Sequence, residues 1–359
     1  MTEAVLLVGG QGTRLRPLTI NTPKPMLPVA GVPCTEHQIA RAREAGVTRI
    51  VLGTSYRAEV FEEYFGDGAD FGVELIYAVE DTPMGTGGAI RNAAQHLQSG
   101  PDDPVMVFNG DVLTGVDLRH LFAEHARTQA AVTLYLTPVA DPRAFGLVPT
   151  DPDGQVISFL EKPTTEAEIV TDQINAGCYV FRRAVIDDIP ADRPVSVERE
   201  VFPGLLAGGA RLQGVVDDGY WLDLGNPLAF VQGSADLVRG IAPSPAVPVT
   251  GQALRMPGAQ VADSAQLDDG SVVGAGATVG PDARVIGSVI FEGAVVEAGA
   301  VVRNSVVGAG ATVGAGSALD GVVVGDRAVV GPGNELITGA RVWPGVTLGA
   351  TAVRFSSDQ

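Results

Sequence analysis

Twelve aliphatic residues held in phase constrain this chain more than any other feature. Val273, Val279 and Val285 are spaced by six; so are Ile290, Val296 and Val302, then Val307, Val313 and Leu319, then Val324, Val330 and Leu336. Each triplet begins 17 residues after the one before it. Such a pattern predicts three short flat faces per turn, each sending one aliphatic side chain inward, with small residues at the corners. That is a left-handed parallel β-helix of hexapeptide repeats, stable only by stacking. A disordered Gly/Ala-rich tail would not keep its aliphatics in phase over four coils.

The chain before the repeat is of another kind. Residues 1–240 alternate apolar β runs (4–8, 49–53, 73–78, 104–108, 131–136, 177–181) with helical patterns near 35–45, 58–65, 86–97 and 117–127. This alternation predicts a Rossmann-like, mostly parallel sheet with helices on both faces. Residues 241–251, with three prolines in six positions, read as a stiff linker, and 252–359 form the solenoid domain. No run reaches the ~18 apolar residues of a membrane span, and no basic-then-apolar leader opens the chain. Two distant cysteines, Cys34 and Cys178, fit a reducing cytoplasm. A net charge of −18 argues against nucleic acid or an anionic membrane as partner. An anionic ligand would need a local concentration of basic groups.

The first β run supplies one. Val5-Leu6-Leu7-Val8 leads into Gly9-Gly10-Gln11-Gly12-Thr13-Arg14-Leu15-Arg16. Glycines at the carboxyl end of a buried strand let backbone N–H groups surround an anion, and arginines grip phosphate in a fork. The dinucleotide fingerprint and the Walker loop are both excluded, because Leu15 stands where a third glycine would be and the loop has no lysine. Of 24 basic residues only Lys24 and Lys162 are lysine. In so arginine-rich a chain they are candidates for sites that need a compact ammonium.

Further motifs follow in order. Asn21-Thr22-Pro23-Lys24-Pro25-Met26 fixes Lys24 between prolines, as a phosphate ligand or an exposed loop lysine. Glu80-Asp81-Thr82-Pro83-Met84-Gly85-Thr86-Gly87-Gly88 ends a strand and opens a helix with glycines, an entrance that suits a nucleobase. Glu80 could accept from two adjacent donors, which guanine presents, or be a solvated strand-end charge. Asn109-Gly110-Asp111 follows another buried run, and Asp111 with Asp223 could hold Mg²⁺. Alone, each aspartate reads equally well as a turn residue.

Taken together with Glu161-Lys162-Pro163, Asn175-Ala176-Gly177 and Trp221-x-Asp223-x-Gly225, these motifs resemble, over essentially the whole chain, the sugar-phosphate nucleotidylyltransferase family. The Pro-Met-Gly-Thr-Gly-Gly loop, the short solenoid and Arg341-Val342-Trp343-Pro344-Gly345 resemble most the branch that joins GTP to mannose 1-phosphate. The resemblance implies in-line attack of a sugar 1-phosphate on the α-phosphorus of a nucleoside triphosphate. It implies Leu7, Gly9, Gly10, Gly12, Thr13, Arg14, Glu80, Pro83, Gly85 and Thr86 at the nucleotide. Asn109, Gly110, Gly146, Glu161, Lys162 and Asn175 fall at the sugar phosphate, and Asp111 and Asp223 at Mg²⁺ (or Mn²⁺). Arg14, Lys24, Asp111, Lys162 and Asp223 are the catalytic set. It also implies a homo-oligomer, with the solenoid as one place for its interface.

Other readings stay open. The same chemistry could join glucose 1-phosphate to dTTP, UTP or ATP, or a heptose 1-phosphate to GTP. A non-catalytic sensor of sugar nucleotides should have lost a metal carboxylate or a phosphate-loop base, and none is lost. A solenoid acyltransferase of the best-known type needs a histidine on the solenoid, whereas His37, His96, His120 and His125 all precede residue 126.

Overall fold

In a computed structural model the described residues are 2–55, 57–249, 251–337 and 339–354. Thr250 of the linker and the last five residues of the solenoid domain lie outside them. The chain packs as two compact units. One comprises residues 1–10 and 38–221, the other residues 11–37 and 222–359.

The first unit is a sheet with helices. Its strands are β1 (Thr2–Leu7), β2 (Val47–Thr54), β3 (Glu74–Val79), β4 (Pro104–Asn109), β5 (Val132–Pro138), β6 (Gln173–Arg182) and β7 (Leu212–Val216). They lie in the order β3-β2-β1-β4-β6-β5-β7. The first four are mutually parallel. Helices α1 (Cys34–Glu44), α2 (Ala58–Phe65), α3 (Gly85–Ala94) and α4 (Leu118–Thr128) supply the connections. Ala4, Val5 and Leu6 are each at most 1% exposed, as expected of a strand covered on both faces.

Beyond β4 the sheet turns mixed. β6 runs antiparallel to both β4 and β5, while β7 is parallel to β5. β6 is ten residues long, and its first part escapes a periodicity reading because it is bulged. Asn175 pairs with Leu136, yet the next partner, Leu134, meets Tyr179. Gly177 turns the bulge at φ 77°, a left-handed conformation.

The second unit carries the solenoid: three parallel sheets of six, six and five strands. All twelve phased aliphatics are at most 6% exposed and share one core. Alanines 277, 283, 294, 300, 311 and 328 fill the space two positions before an aliphatic and are fully buried. The solenoid extends beyond the four coils by one coil before and two strands after. There Gln260 pairs with Thr278 and Val323 with Arg341, steps of 18 rather than 17. The extra residue sits at one corner, where Leu267 to Val273 and Leu336 to Val342 span six residues instead of the five from Val285 to Ile290. A buried serine ladder lines that corner: Ser288 N donates to Ser271 Oγ, Ser305 N to Ser288 Oγ and Val322 N to Ser305 Oγ, at 3.0–3.3 Å. Among the described residues no helix is long and apolar enough to cross a membrane.

Candidate active site

The carboxyl end of β1 is drawn tightly into the sheet. Val8 N donates to Gly53 O (3.0 Å) and Gly110 N to Leu7 O (2.9 Å). Ser55 Oγ donates to Gly9 O at 2.8 Å. A Cβ at Gly110 would lie 2.7 Å from Leu7 O, so that glycine is required by close approach to backbone, and one at Gly9 would lie 2.7 Å from Ser55 Oγ and displace that hydroxyl. At Gly10 a Cβ would meet no protein atom within 4 Å. Packing against the protein therefore does not explain that glycine.

In the second unit the loop continues through Gly12 (φ 58°) into a 3₁₀ turn, Thr13–Leu15, pinned by Thr19 Oγ1 donating to Gly12 O at 2.8 Å. Lys24 begins another 3₁₀ turn, Lys24–Met26, with all three residues buried. Its Nζ lies 3.5 Å from Asp223 Oδ1, and Arg14 Nη2 lies 3.7 Å from Asp223 Oδ2. Two cations thus converge on one carboxylate, Lys24 only 8% exposed and Arg14 70%. Gly225 makes room, since a Cβ there would stand 2.5 Å from Arg14 Nη2. Lys24 is therefore no exposed loop lysine.

Glu80 follows β3 directly, its N–H donating to Thr54 O at 2.9 Å. Its carboxyl is pushed up by burial, a shift opposed by the Met84 N–H that it accepts. Glu80 Oε1 is buried and has no hydrogen-bond partner among the described residues. Pro83 and Gly85 beside it are exposed. The glycines that open α3 have a packing reason: Cβ atoms at Gly85 and Gly87 would lie 2.6 and 3.1 Å from Val195 O. The Thr86 hydroxyl is engaged by the protein, donating to Glu198 Oε2 at 2.8 Å and accepting from Val197 N at 3.0 Å.

The residues assigned to the sugar side gather around a hairpin that pairs Gly146 with Glu161. A Cβ at Gly146 would stand 2.8 Å from Glu161 Oε2. Burial, then the neighbouring Glu198 charge, push the Glu161 carboxyl up, against Lys162 and Arg199. Lys162 adopts φ 52°, is 61% exposed, and holds Nζ 3.8 Å from Glu161 Oε1. Asn175 Nδ2 donates to Tyr179 Oη at 2.8 Å. A Cβ at Gly177 would lie 2.7 Å from Asn109 Nδ2. Trp221 Nε1 donates to Ala176 O at 3.0 Å, and its ring meets Phe145 edge-on at 5.3 Å. Ser55, Phe145 and Glu198 belong to no motif read in the sequence, while Tyr179 ends the one that starts at Asn175. Only spatial neighbours disclose the first three.

Among the described residues no three His, Cys, Asp or Glu side chains cluster as a metal cage. The donor chemistry of Asp223 nevertheless suits a hard cation. It offers carboxylate oxygens at 26% side-chain exposure, and its contacts with Lys24 and Arg14 are longer than the ~2.7–2.9 Å of a charge-assisted hydrogen bond. Mg²⁺ is commonly held by one or two carboxylates together with phosphate oxygens.

A parallel sheet whose first strand ends in a glycine–arginine loop, joined to a hexapeptide solenoid, is the architecture of a nucleotidyltransferase. Residues 3–240 match the nucleotidyl transferase family, and this chain belongs to that family. Residues 249–354 match the GMPPB C-terminal domain. The mannose-1-phosphate guanylyltransferase of Mycobacterium tuberculosis is 57% identical over 99% of this chain and 98% of its own. The catalytic subunit beta of mannose-1-phosphate guanylyltransferase from Drosophila pseudoobscura pseudoobscura is 40% identical over 65% of this chain and 61% of its own. HddC from Yersinia pseudotuberculosis, solved in complex with GMP-PN, superposes with a TM-score of 0.56 at 27% identity, over 66% of this chain and all of that one.

Proposed function

We propose that this chain transfers a guanylyl group from GTP to mannose 1-phosphate, giving GDP-mannose and pyrophosphate. The observation that carries the choice of base is Glu80, whose buried Oε1 lacks a hydrogen-bond partner among the described residues. A carboxylate is only an acceptor, and guanine offers it two adjacent donors, N1–H and N2–H₂. The named relatives in Mycobacterium and Drosophila support both substrates.

A sugar phosphate oxygen attacks the α-phosphorus. One P–O bond forms, the α–β phosphoanhydride bond breaks, and pyrophosphate leaves with the electron pair. The attacking monoester, with a second pKa of about 6, is largely dianionic at pH 7, so no general base is needed. The residues position and neutralise charge. Leu7, Gly9, Gly10, Gly12, Thr13 and Arg14 cradle the triphosphate; the open space at Gly10 supports this. Lys24 and Lys162 take the α-phosphate and the sugar phosphate. Glu80, Pro83, Gly85 and Thr86 form the base end. Asn109, Gly110, Gly146, Glu161 and Asn175 hold the sugar, with Glu161 accepting from hydroxyls. Asp111 and Asp223 hold Mg²⁺, or Mn²⁺ in its place, which when bound neutralises phosphate charge. Residues 1–240 are the catalytic domain, 241–251 the linker and 252–359 the solenoid domain. The setting is the cytoplasm and the working form a homo-oligomer.

The test is pyrophosphate release with GTP, ATP, UTP and dTTP against mannose, glucose and heptose 1-phosphates. GTP with mannose 1-phosphate should lead, by at least about a hundredfold over UTP and dTTP, since a site built on hydrogen bonds rejects a base lacking them. Glu80→Gln should weaken GTP use far more than any residual UTP use. A preference for dTTP or UTP, or a nucleotide choice unmoved by Glu80→Gln, would overturn the guanine assignment.

A further inference from the structure

The segment Arg193–Val201 carries no motif, yet it braces two parts of the first unit. Its backbone joins the start of α3: Val195 N donates to Met84 O and Gly87 N to Val195 O, both at 2.8 Å. It then forms a single π-helical turn, Val197–Val201, with Ser196 as its cap. Such turns are rare and concentrate at functional sites. The turn presents Glu198, whose Oε2 accepts from Thr86 Oγ1 at 2.8 Å and from Ser196 Oγ at 2.6 Å. Bonds to an ionised acceptor are roughly twice as strong as neutral ones.

We propose that Glu198 is a positioning residue for the nucleotide: its hydrogen bonds with Thr86 and Ser196 fix Thr86 at the entrance to the nucleotide loop. This rests on the assignment above of Thr86 to the nucleotide end. Glutamine can keep both hydrogen bonds through its amide oxygen. Alanine loses them.

The experiment measures KM for each substrate and kcat for Glu198→Gln, Glu198→Ala and Thr86→Val, using whichever nucleotide and sugar phosphate the wild type accepts. A different substrate pair would therefore defeat the functional reading and leave this test intact. Glu198→Ala and Thr86→Val should each raise the nucleotide KM about tenfold. The double variant should be no worse than either, because they remove one interaction. Glu198→Gln, which keeps the hydrogen bonds, should stay within about twofold of the wild-type nucleotide KM, and the sugar-phosphate KM should move less than the nucleotide KM in every variant. A nucleotide KM unchanged in folded Glu198→Ala, or one raised as much by Glu198→Gln as by Glu198→Ala, overturns the proposal.

Discussion

Lys24 and Lys162 carry the same charge in opposite surroundings. Lys24 is buried with its ammonium beside Asp223, and a Cβ at Gly12 would already touch its Cβ at 2.7 Å. Lys162 is largely exposed. An arginine at 24 must fit a planar fork into that space, an overpacking that costs about 1–3 kcal/mol. Lys24→Arg should therefore lower the melting temperature and cut kcat/KM at least a hundredfold. Lys162→Arg should lose about tenfold in kcat/KM with its melting temperature unchanged. Equal melting temperatures for the two variants would contradict the burial of Lys24. Asp111→Asn and Asp223→Asn should each nearly abolish turnover and weaken Mn²⁺ binding read by water-proton relaxation. Asp223→Asn also weakens the compensation of the buried Lys24 ammonium, so it should melt below wild type. The rarity of lysine marked both residues in the sequence. The burial of Lys24 was not legible, because Asp223, a carboxylate it pairs with, lies 199 residues away.

Elements joined across the chain show where pH acts. His37, in α1, is buried, with Nε2 2.9 Å from Val29 O and Nδ1 2.6 Å from Ser244 Oγ in the proline-rich segment. Burial depresses it from 6.5 to about 4, against the Val29 hydrogen bond that raises it. Between those values the unfolded chain binds a proton that the folded chain does not, so stability falls as pH drops through that window. From pH 7 to 5 the loss is about 2 kcal/mol for this one group. Urea melts of wild type and His37→Gln at the two pH values should differ by that amount. The other buried histidine with a lowered pKa, His125, contributes equally to both and cancels. Identical pH slopes would contradict a neutral, buried His37. At this scale the sequence disclosed what is periodic: strands covered on both faces and four coils of the solenoid. It concealed what breaks a period. The bulge at Gly177 hides the first half of β6, and a six-residue corner hides the outer coils.

Composition divides the chain at its proline-rich segment, while residues 11–37 pack in one compact unit with residues 222–359. Arg14, Lys24 and Asp223 belong to the same compact unit as the solenoid. Within that unit Ala30 N donates to Ser234 Oγ at 2.9 Å, a Cβ at Gly31 would collide with Met256 Sδ, and Arg341 Nη1 donates to Arg16 O. His37 reaches Ser244. Cutting the chain after Gly240 removes Ser244, Met256 and Arg341 at once and exposes apolar surface on helix Pro227–Arg239, where Phe230 packs on Phe291 at 6.3 Å between ring centres. The fragment 1–240 should therefore melt well below the full chain and retain under about 1% of kcat/KM, since the support of the Lys24–Asp223 pair goes with the solenoid. Val313→Asp reaches the same end by another route. It places an unpaired carboxylate in a column where Val313 is fully buried, at a cost of several kcal/mol. Both should be read by calorimetry and pyrophosphate release on the same preparation. Loss of activity in step with loss of the melting transition is the expected result. A fragment 1–240 with full activity, or a Val313→Asp protein that melts like wild type, would show that the basic groups at the phosphate loop hold their places without the solenoid.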